Sequence, residues 1–357
     1  MLTHAPNAVS SLTNCAWTLA DLARVERRGV SVMSTFACGG GSSLGYKLAG
    51  CDVIAANDID QEMAWHYKEN LKPKHYFLCP IRDLLDAELP SELFSLDILD
   101  GSPPCSTFSM AGSREKTWGK QKHFREGQAE QVLSDLFFDY LDLVGKLRPR
   151  VAIAENVKGM IVGNAKGYAK LVMKRFEELG YRPQLFLINA ADCGVPQKRE
   201  RVFFCAVRED VSSEPLSLKP RHRWISAAEA CAGLPGLTPA EREQTSPAPF
   251  DLKCWNRTKP GKAYGDFVQR SEGRLSGFTI CRLSGGAPAC TLTASDTARH
   301  WNECRKLTFR EQKRLGSFPD DYNAKSDKVG KYMIGMSVPP RMTEAVARAV
   351  ADQWLKG

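Results

Sequence analysis

A strand, a glycine turn and a helix follow one another in Ser31-Val-Met-Ser-Thr-Phe-Ala-Cys-Gly-Gly-Gly-Ser-Ser-Leu-Gly45. Val32 and Met33 supply the apolar strand, three consecutive glycines make the turn, and Ser42 or Ser43 can cap the helix. A turn of this kind after a first strand binds cofactors in doubly wound α/β folds, where helices cover both faces of a mostly parallel sheet. The segment therefore predicts a doubly wound, Rossmann-like α/β sheet with a cofactor at the glycines.

An acidic residue closes the next predicted strand. The apolar run Val53–Ala56 leads to Asp58. A carboxylate at the end of the second strand, about 20 residues beyond the glycines, is the usual partner of ribose hydroxyls in such folds. The sequence has no GxxxxGK[ST] motif, so a nucleoside triphosphate is not indicated.

A cysteine follows two prolines in Leu99-Asp-Gly-Ser-Pro-Pro-Cys-Ser-Thr-Phe-Ser-Met110. The preceding apolar run Leu93–Leu99 predicts a short buried strand, and Pro103 and Pro104 stiffen the turn because each locks a φ angle. A thiol held there, ahead of a polar loop, suits a nucleophile. The alternative is an ordinary buried cysteine, because free cysteine is often buried and the chain has 12 of them.

Two further polar motifs accompany predicted strands. The buried strand Val151–Ala154 runs into Glu155-Asn156-Val157, which puts a carboxylate at the carboxyl end of a central strand, where doubly wound enzymes place their sites. Gln197, Arg199 and Arg201 recur at every second position, so they project to one face of an extended segment. Two arginines on one face are either an ion-paired surface or, beside a site, an anion clamp.

Hydrophobic periodicity predicts the remaining elements. These are a docking helix over Trp17–Arg28, helices over Gln131–Leu147 and Tyr168–Leu179, strands over Pro183–Asn189 and Val202–Val207, a helix capped by Thr308 and Glu311, and a closing helix over Thr343–Trp354.

Composition limits the partners and the compartment. The formal net charge is +8 over 357 residues, which favours a polyanionic partner. No apolar run reaches the roughly 20 residues of a membrane span, and Met1–Val30 lacks the pattern of a signal peptide. The sequence has no Cys-x-x-Cys pair and its six His are scattered. We therefore expect reduced cysteines, a cytoplasmic protein and no metal site.

Basic and aromatic residues are interleaved where periodicity is weak, in Val211–Gly285. Such a mixture suits nucleic acid, and the alternative is a solvated loop domain. A second basic run, Ser113–Gly127, follows Cys105 and is either a solvated loop or a lid that closes on a phosphate backbone. In Val211–Gly285 the basic residues are Lys253, Arg257, Lys259, Lys262, Arg270, Arg274 and Arg282, and the aromatic residues are Trp255, Tyr264, Phe267 and Phe278.

Taken in order, these motifs resemble the DNA cytosine-5 methyltransferase family of bacterial type. They are Phe36-Ala-Cys-Gly-Gly-Gly41, Asp58, Pro104-Cys105 with Phe108-Ser109, Glu155-Asn156-Val157, Gln197-x-Arg199-x-Arg201 and Gly335-x-Ser-Val-Pro339. The resemblance covers residues 30–210 and 285–350, and the region between them lies where the family keeps its variable target-recognition domain. It implies methyl transfer from S-adenosylmethionine to C5 of a cytosine flipped out of a specific double-stranded DNA sequence, with S-adenosylhomocysteine as product and no metal.

The family's roles pass to the matching positions. Cys105 would be the nucleophile that attacks C6, because C5 attacks a methyl group only after a thiolate has made the ring an enamine. Glu155 would hold N3 and the amino edge of the base, Arg199 would stabilise the base, and Arg201 would support that arrangement. The cofactor pocket would be formed by Phe36, Ala37, Gly39, Gly40, Gly41, Asp58, Ile59, Ile81, Pro104 and Leu136, with Ser337 closing it. The DNA contacts would come from Ser109, Arg114, Lys120, Lys122, Gln197, Arg257, Lys262, Arg274 and Thr293.

Four positions depart from the family pattern: Cys38, Ile59, Pro80 and Met336. Cys38 stands where the first glycine of the turn is usual, and Gly39 is the expected source of flexibility one position later. Pro80 replaces a usual Asp, so a backbone carbonyl or Asp83 would have to meet the adenine amino group. Ile59 replaces a frequent aromatic side chain, and Met336 replaces the usual Asn after Gly335. These changes concern cofactor affinity more than chemistry.

The resemblance predicts four segments. They are an accessory segment over 1–29, a catalytic methyltransferase domain over 30–210, a smaller target-recognition domain over 211–285, and a segment over 286–357 that returns to the catalytic domain. Double-stranded DNA is the expected partner, in a bacterial, nucleoid-associated cytoplasmic location, with a cognate restriction endonuclease as a further candidate. Two alternatives remain open: the tRNA-modifying branch of the family, and a catalytically silent nucleic-acid-binding protein. The intact Cys105, Glu155 and Arg199 disfavour the silent protein.

Overall fold

The structure, a computed structural model, describes residues 15–104, 121–122, 131–132, 136–272 and 280–356. The chain divides into two compact units, which we call the sheet unit and the helical unit. The sheet unit comprises Glu26–Asn189, Glu200–Pro220 and Thr343–Gly357. The helical unit comprises Met1–Val25, Ala190–Arg199 and Arg221–Met342.

One sheet organises the sheet unit. Its strands are β1 (Ser31–Thr35), β2 (Asp52–Asp58), β3 (His75–Leu78), β4 (Ile98–Gly101), β5 (Val151–Val157), β6 (Tyr181–Asn189) and β7 (Glu200–Arg208). Among the described residues the strand order is β3-β2-β1-β4-β5-β7-β6. Strands β1 to β5 run parallel, and β7 is antiparallel to both β5 and β6. The order reverses between β1 and β4, which is where doubly wound folds bind ligands. The predicted α/β fold class is confirmed.

Helices and short turns complete both units. The sheet unit has α1 (Gly41–Leu48), α2 (Gln61–Leu71), α3 (Asp83–Asp86), α4 (Leu136–Leu147) and α5 (Lys166–Glu178). The helical unit has α6 (Ala227–Ala230), α7 (Pro239–Gln244), α8 (Pro249–Cys254), α9 (Tyr264–Glu272), α10 (Phe309–Leu315) and α11 (Asp327–Met336), and α12 (Pro340–Trp354) follows. The 3-10 turns are Leu19–Arg24, Ser91–Ser95, Lys158–Ile161, Gly163–Ala165, Ala190–Cys193 and Trp255–Arg257. Two-residue strands pair Gln121–Lys122 with Gln131–Val132, and Cys281–Arg282 with Ala298–Arg299.

Helix α4 fixes the central strands of the sheet from one side. Tyr140 is fully buried, and its hydroxyl donates to the carbonyls of Leu99 and Ile153, each at 2.9 Å, so one side chain joins β4 to β5. A Cβ on Gly101 would lie 2.6 Å from the Tyr140 ring, which is why the end of β4 carries a glycine. Burying an aromatic side chain of this size stabilises the fold by roughly 1.5–3 kcal/mol.

Three predictions of local structure are wrong at their boundaries. The segment predicted as a strand over Leu93–Leu99 is a 3-10 turn at Ser91–Ser95, and β4 begins only at Ile98. Gln131–Val132 is a short strand rather than the first turn of α4. The predicted docking helix over Trp17–Arg28 is a 3-10 turn at Leu19–Arg24, whose first turn is closed by hydrogen bonds from Thr18 to the Asp21 carboxylate.

The predicted capping box of α10 is confirmed, because Thr308 Oγ1 accepts from Glu311 N and Glu311 Oε2 accepts from Thr308 N. The four-segment division stays a prediction. The two compact units do not follow the predicted boundaries, because residues 190–199 and 286–342 belong to the same unit as residues 221–285.

Candidate active site

The turn between β1 and α1 contains left-handed residues at every second position. Phe36, Cys38 and Gly40 have φ angles of 52°, 46° and 86°. The expected source of flexibility, Gly39, is not among the positive-φ residues, so that expectation is wrong and Cys38 itself takes the strained conformation. A left-handed residue with a side chain costs roughly 1–2 kcal/mol. Alternating backbone handedness points N–H groups into a concavity that attracts negative charge.

The carboxylate of Asp58 accepts hydrogen bonds from this turn. Cys38 N donates to Asp58 Oδ2 at 2.6 Å, and Asp60 N donates to Asp58 Oδ1 at 2.8 Å. Burial raises the pKa of Asp58 to about 6, against the lowering effect of these backbone donors. Each carboxylate oxygen can accept a second hydrogen bond. Asp58 therefore holds the turn in shape and can also accept a ribose hydroxyl.

The other residues of the sheet unit that were predicted for the cofactor pocket are wholly or partly buried. Gly39, Gly40, Gly41 and Ala37 are buried, and Phe36, Ile59 and Pro104 are half-buried. Ile81 and Leu136 are 3% and 5% exposed and belong to the main core of the sheet unit, against which Phe36 also packs.

A backbone carbonyl and the Asp83 carboxylate were the two groups expected to replace the acidic side chain that is missing at Pro80. Pro80 O already accepts from Asp83 N at 3.1 Å, whereas Asp83 is exposed. Beside them, Asn57 Nδ2 donates to Phe77 O and Cys79 O at 3.0 and 2.8 Å. Hydrogen bonds to main-chain carbonyls therefore fix the segment from Phe77 to Pro80.

Glu155 and Arg201 form an ion pair at the carboxyl end of β5. Val157 of β5 lies opposite Arg201 of β7, and Glu155 shares the face of Val157 because side chains alternate along a strand. Arg201 Nε lies 2.8 Å from Glu155 Oε1, with the two side chains 15% and 10% exposed. The ion pair therefore holds the Glu155 carboxylate at the end of β5.

Asn156 joins the same strand end to the diproline turn. Its Nδ2 donates to Pro103 O at 3.1 Å, and its Oδ1 accepts from Val157 N at 2.9 Å. Both Asn156 and Pro103 are buried. The chain that leads into Cys105 is thus held beside Glu155. Of the predicted site residues, Cys105, Ser109, Arg114, Lys120 and Arg274, together with the side chain of Lys122, lie outside the described part of the structure.

Gln197 and Arg199 are buried in the helical unit, at 1% and 3% exposed. Gln197 Oε1 accepts from Leu292 N at 3.1 Å, and Arg199 donates to Leu292 O at 2.9 Å and to Gly335 O at 3.1 Å. Both side chains therefore hold the main chain at Leu292. Their predicted contacts with DNA and with the base stay predictions.

The other predicted residues of the helical unit have separate positions. Ser337 Oγ donates to Met333 O at 2.8 Å and is buried, and Thr293 shares a hydrogen bond of 2.9 Å with Thr297. Arg257 and Lys262 are exposed. A Cβ on Gly335 would lie 2.3 Å from the Thr293 carbonyl carbon, so the glycine lets α11 approach this segment.

Sequence reasoning missed Asp100, a buried carboxyl group on β4. It is 2% exposed and accepts from Ser34 Oγ at 2.8 Å and from Tyr46 Oη at 3.0 Å. Its pKa is raised to about 7, chiefly by burial and to a smaller extent by the charge of Glu155. An acidic residue inside an apolar strand was the available signal.

The described ranges contain neither a candidate metal site nor a candidate membrane-spanning helix. No cluster of three or more His, Cys, Asp or Glu residues there could hold a metal ion. No helix there is long and apolar enough to cross a membrane.

Known proteins resemble this chain over nearly its whole length. A family model described as C-5 cytosine-specific DNA methylase matches residues 30–352. The Type II methyltransferase M.AplI of Arthrospira platensis is 31% identical over 329 residues, which are 89% of this chain and 85% of the relative. The Type II methyltransferase M.FnuDI of Fusobacterium nucleatum is 29% identical over 350 residues, which are 90% of this chain and 94% of the relative.

Solved structures share the fold at low identity. A DNA modification methyltransferase encoded within an E. coli prophage aligns with a TM-score of 0.70 at 20% identity, over 92% of this chain and 100% of that chain. The S. pombe Dnmt2 methyltransferase aligns with a TM-score of 0.61 at 15% identity, over 91% of this chain and 99% of that chain.

Proposed function

The chain belongs to the C-5 cytosine-specific DNA methylase family, and from that membership we propose the route of its reaction. As a member, it is an enzyme that transfers a methyl group from S-adenosylmethionine to C5 of cytosine in DNA. We propose that the cytosine is flipped out of a specific double-stranded sequence and that the enzyme forms a covalent bond between Cys105 Sγ and C6 of the base.

The chemistry explains why a thiol and a carboxyl group are needed together. C5 of cytosine is a poor nucleophile, and addition of the Cys105 thiolate to C6 converts the ring to an enamine. A proton or a hydrogen bond from Glu155 at N3 takes up the electron pair that the addition displaces. After C5 has accepted the methyl group, the C5 proton leaves to a base, the C5–C6 double bond re-forms and the thiolate is expelled.

One observation carries the assignment of Glu155: its ion pair with Arg201 at the end of β5. In this proposal the arginine orients the carboxyl group, and the carboxyl group meets the N3 and amino edge of the base. Asn156, the next residue, donates to Pro103 O, so the segment that enters Cys105 is positioned from the same strand end. Arg201 is therefore a positioning residue in this proposal. Arg199, which donates to Leu292 O and Gly335 O, has the proposed role of stabilising the base.

The residues at the ends of β1 and β2 fit S-adenosylmethionine. Asp58 is a half-buried carboxylate with acceptor capacity beyond its two backbone donors, which suits the ribose hydroxyls. The left-handed turn over Phe36–Gly40 directs backbone groups toward the same place. The cofactor supplies an electrophilic methyl group when bound. We propose that Ile59, Ile81, Pro104, Leu136 and Ser337 complete its pocket.

We propose the remaining properties on the strength of the family and its relatives. Residues 30–210 and 286–357 provide catalysis, residues 211–285 provide sequence recognition, and residues 1–29 are accessory. The catalysis uses no metal. The relatives M.AplI and M.FnuDI are both named Type II methyltransferases, which supports a bacterial cytoplasmic enzyme with a cognate restriction endonuclease.

Transfer of labelled methyl groups to genomic DNA and to total tRNA, followed by nucleoside analysis, tests the substrate. We expect 5-methylcytosine in DNA alone. Label confined to tRNA would move the activity to the RNA-modifying branch, and no label in either would leave a silent binding protein.

Trapping tests the covalent step. In duplexes that contain 5-fluorocytosine, the C5 substituent cannot leave as a cation, so the Cys105 adduct should persist through denaturing electrophoresis. The Cys105→Ser variant should bind DNA but form no adduct and transfer no methyl group. Full activity of that variant would contradict the mechanism.

A further inference from the structure

A cationic and aromatic surface lies in the helical unit, outside the residues assigned above. It consists of Lys198, Arg221, His222 and Trp224, and we call it the Trp224 surface. All four residues are exposed, and 48% of Trp224 is accessible to solvent. Scattered exposed tryptophans are common. Trp224 differs from these because a hydrogen bond holds its indole and a lysine side chain lies over its ring.

Hydrogen bonds to Asp192 hold the surface in place. His222 N donates to Asp192 O, and Trp224 Nε1 donates to Asp192 Oδ1, each at 2.7 Å. Gly194 has φ of 80°, and a Cβ there would lie 3.2 Å from the His222 ring. The next residue after the tryptophan, Ile225, is buried. The exposed run is therefore formed before any ligand arrives, which lowers the entropy cost of binding.

Lys198 stands over the tryptophan on an equally fixed main chain. It lies between the buried Gln197 and Arg199, so alternation turns its side chain outward. Its N–H donates to Ala289 O and its carbonyl accepts from Thr291 Oγ1, each at 2.8 Å. The ammonium nitrogen Nζ lies 5.0 Å from the centroid of the Trp224 ring, within cation–π range.

The surface carries an excess of positive charge. Arg223 forms an ion pair with Glu229. Within the described ranges, neither Lys198 nor Arg221 forms an ion pair with a carboxylate. The Asp192 carboxylate accepts from the Trp224 indole. Two cations are thus left to a ligand, beside an aromatic ring whose only hydrogen-bond donor is already satisfied.

We propose that the Trp224 surface binds the sugar–phosphate backbone of the DNA substrate away from the target cytosine. Lys198 and Arg221 bind phosphates, and the exposed part of the Trp224 ring packs against the adjacent deoxyribose. Because the indole N–H is engaged, the ring offers only apolar contact, which suits the backbone rather than the reading of base edges. The proposal rests on DNA being the substrate. It places a sequence-independent contact on the residue between Gln197 and Arg199.

The test measures binding without methyl transfer. Sheared genomic DNA is titrated against the full chain in the presence of S-adenosylhomocysteine at several salt concentrations. Lys198→Ala and Arg221→Ala should each reduce the slope of log K against log salt concentration by about 0.9, the value for one lost phosphate contact. Trp224→Ala should weaken binding by roughly tenfold, and Trp224→Phe should restore part of the loss.

Controls separate this proposal from a general loss of structure and from the proposed function. Trp65→Ala removes a comparably exposed tryptophan, 39% accessible, from α2 of the sheet unit, and should leave DNA affinity unchanged. Thermal unfolding of each variant checks that it folds. If the wild-type chain binds DNA and the three alanine variants bind it with equal affinity and equal salt slope, the Trp224 surface is not a contact. Loss of affinity for tRNA but not for DNA would also overturn the proposal. If the wild-type chain binds no DNA, the substrate assignment itself fails.

Discussion

Glu155–Arg201 in the sheet unit and Asp251–Arg299 in the helical unit are both short ion pairs, at 2.8 and 2.6 Å. They differ in enclosure. Asp251 and Arg299 are 1% and 7% exposed, and Arg299 also donates to Asp296 O and Ala298 O. Glu155 and Arg201 are 10% and 15% exposed, and Arg201 also donates to Glu200 O. The Glu155–Arg201 pair is thus partly accessible to solvent, whereas the Asp251–Arg299 pair is enclosed.

The difference separates two uses of the same chemistry. A fully enclosed pair can only hold the fold, because no ligand can reach it. A pair at the end of a strand can orient a carboxyl group while leaving one oxygen to a substrate. The basic residues of the helical unit divide in the same way, since Arg299 is buried and Arg257 is exposed.

The largest effect is expected for Glu155→Gln. The amide can still accept from Arg201 Nε, so the geometry of the pair survives, but it cannot supply a proton at N3. The rate of a single methyl-transfer turnover should fall roughly 10²–10⁴-fold while DNA binding is retained. The matched control is Glu200→Gln at the residue before Arg201, which alters an exposed ion pair with Lys158 and should change the rate less than threefold, because exposed pairs contribute little. Equal losses in both variants would remove the catalytic role of Glu155.

The second prediction concerns the enclosed pair. Arg299→Met leaves the Asp251 carboxylate buried without its cation, which should lower the free energy of unfolding by roughly 3–5 kcal/mol. Arg257→Met removes an exposed guanidinium that lies 5.6 Å from the Phe267 ring, and should change stability by less than about 0.5 kcal/mol while weakening DNA binding. Denaturant titration and DNA titration of both variants check this. A stable Arg299→Met variant that binds DNA poorly would mean that the enclosed pair is also a DNA contact.

The third prediction compares two buried aspartates. Asp251 pairs with an arginine, whereas the Asp100 carboxyl group accepts from the neutral hydroxyls of Ser34 and Tyr46. The pKa of Asp100 is raised from 3.8 to about 7, so the folded state prefers the protonated form. Its contribution to stability is fully present below pH 3.8 and is lost as the pH rises to about 7.

Asp100→Asn should remove this pH dependence. The unfolding free energy of the variant relative to wild type should therefore rise by roughly 2–3 kcal/mol between pH 5 and pH 8, and level off above about pH 7. Denaturant titrations of both proteins at a series of pH values measure the difference. A difference that stays constant with pH would mean that Asp100 titrates normally in the folded protein.

The two units also differ in what their sequence could predict. Parallel strands end at one edge of the sheet, so the position of Glu155 at the end of β5 followed from the chain order alone. The basic, aromatic region was predicted to bind nucleic acid as a whole. Within it, Arg282 donates to the carbonyls of Trp255, Thr258 and Trp301. Which arginines turn inward depends on which carbonyls lack other donors, and that is settled by packing rather than by composition.

The cofactor turn shows the same limit in the sheet unit. The four residues Cys38 to Gly41 offer several ways to reverse the chain, and the glycines are the cheapest left-handed residues. Cys38 takes a positive φ nonetheless, because its N–H donates to Asp58 at the end of β2. The position of a long-range acceptor fixed the conformation, and it cannot be read from the turn itself.

The smallest effect is expected at this turn. Cys38→Gly removes the cost of a left-handed residue with a side chain, in part offset by the greater freedom of glycine in the unfolded chain, so the free energy of unfolding should rise by about 1 kcal/mol. Cys38→Ala keeps the Cβ and therefore the strain, and should bring no gain. Thermal unfolding of both variants, with S-adenosylhomocysteine affinity measured alongside, separates strain from thiol chemistry. If both variants gain the same free energy of unfolding, the thiol is the source of the instability. If only the glycine variant gains stability, the hydrogen bond to Asp58 holds Cys38 in a backbone conformation that its side chain disfavours.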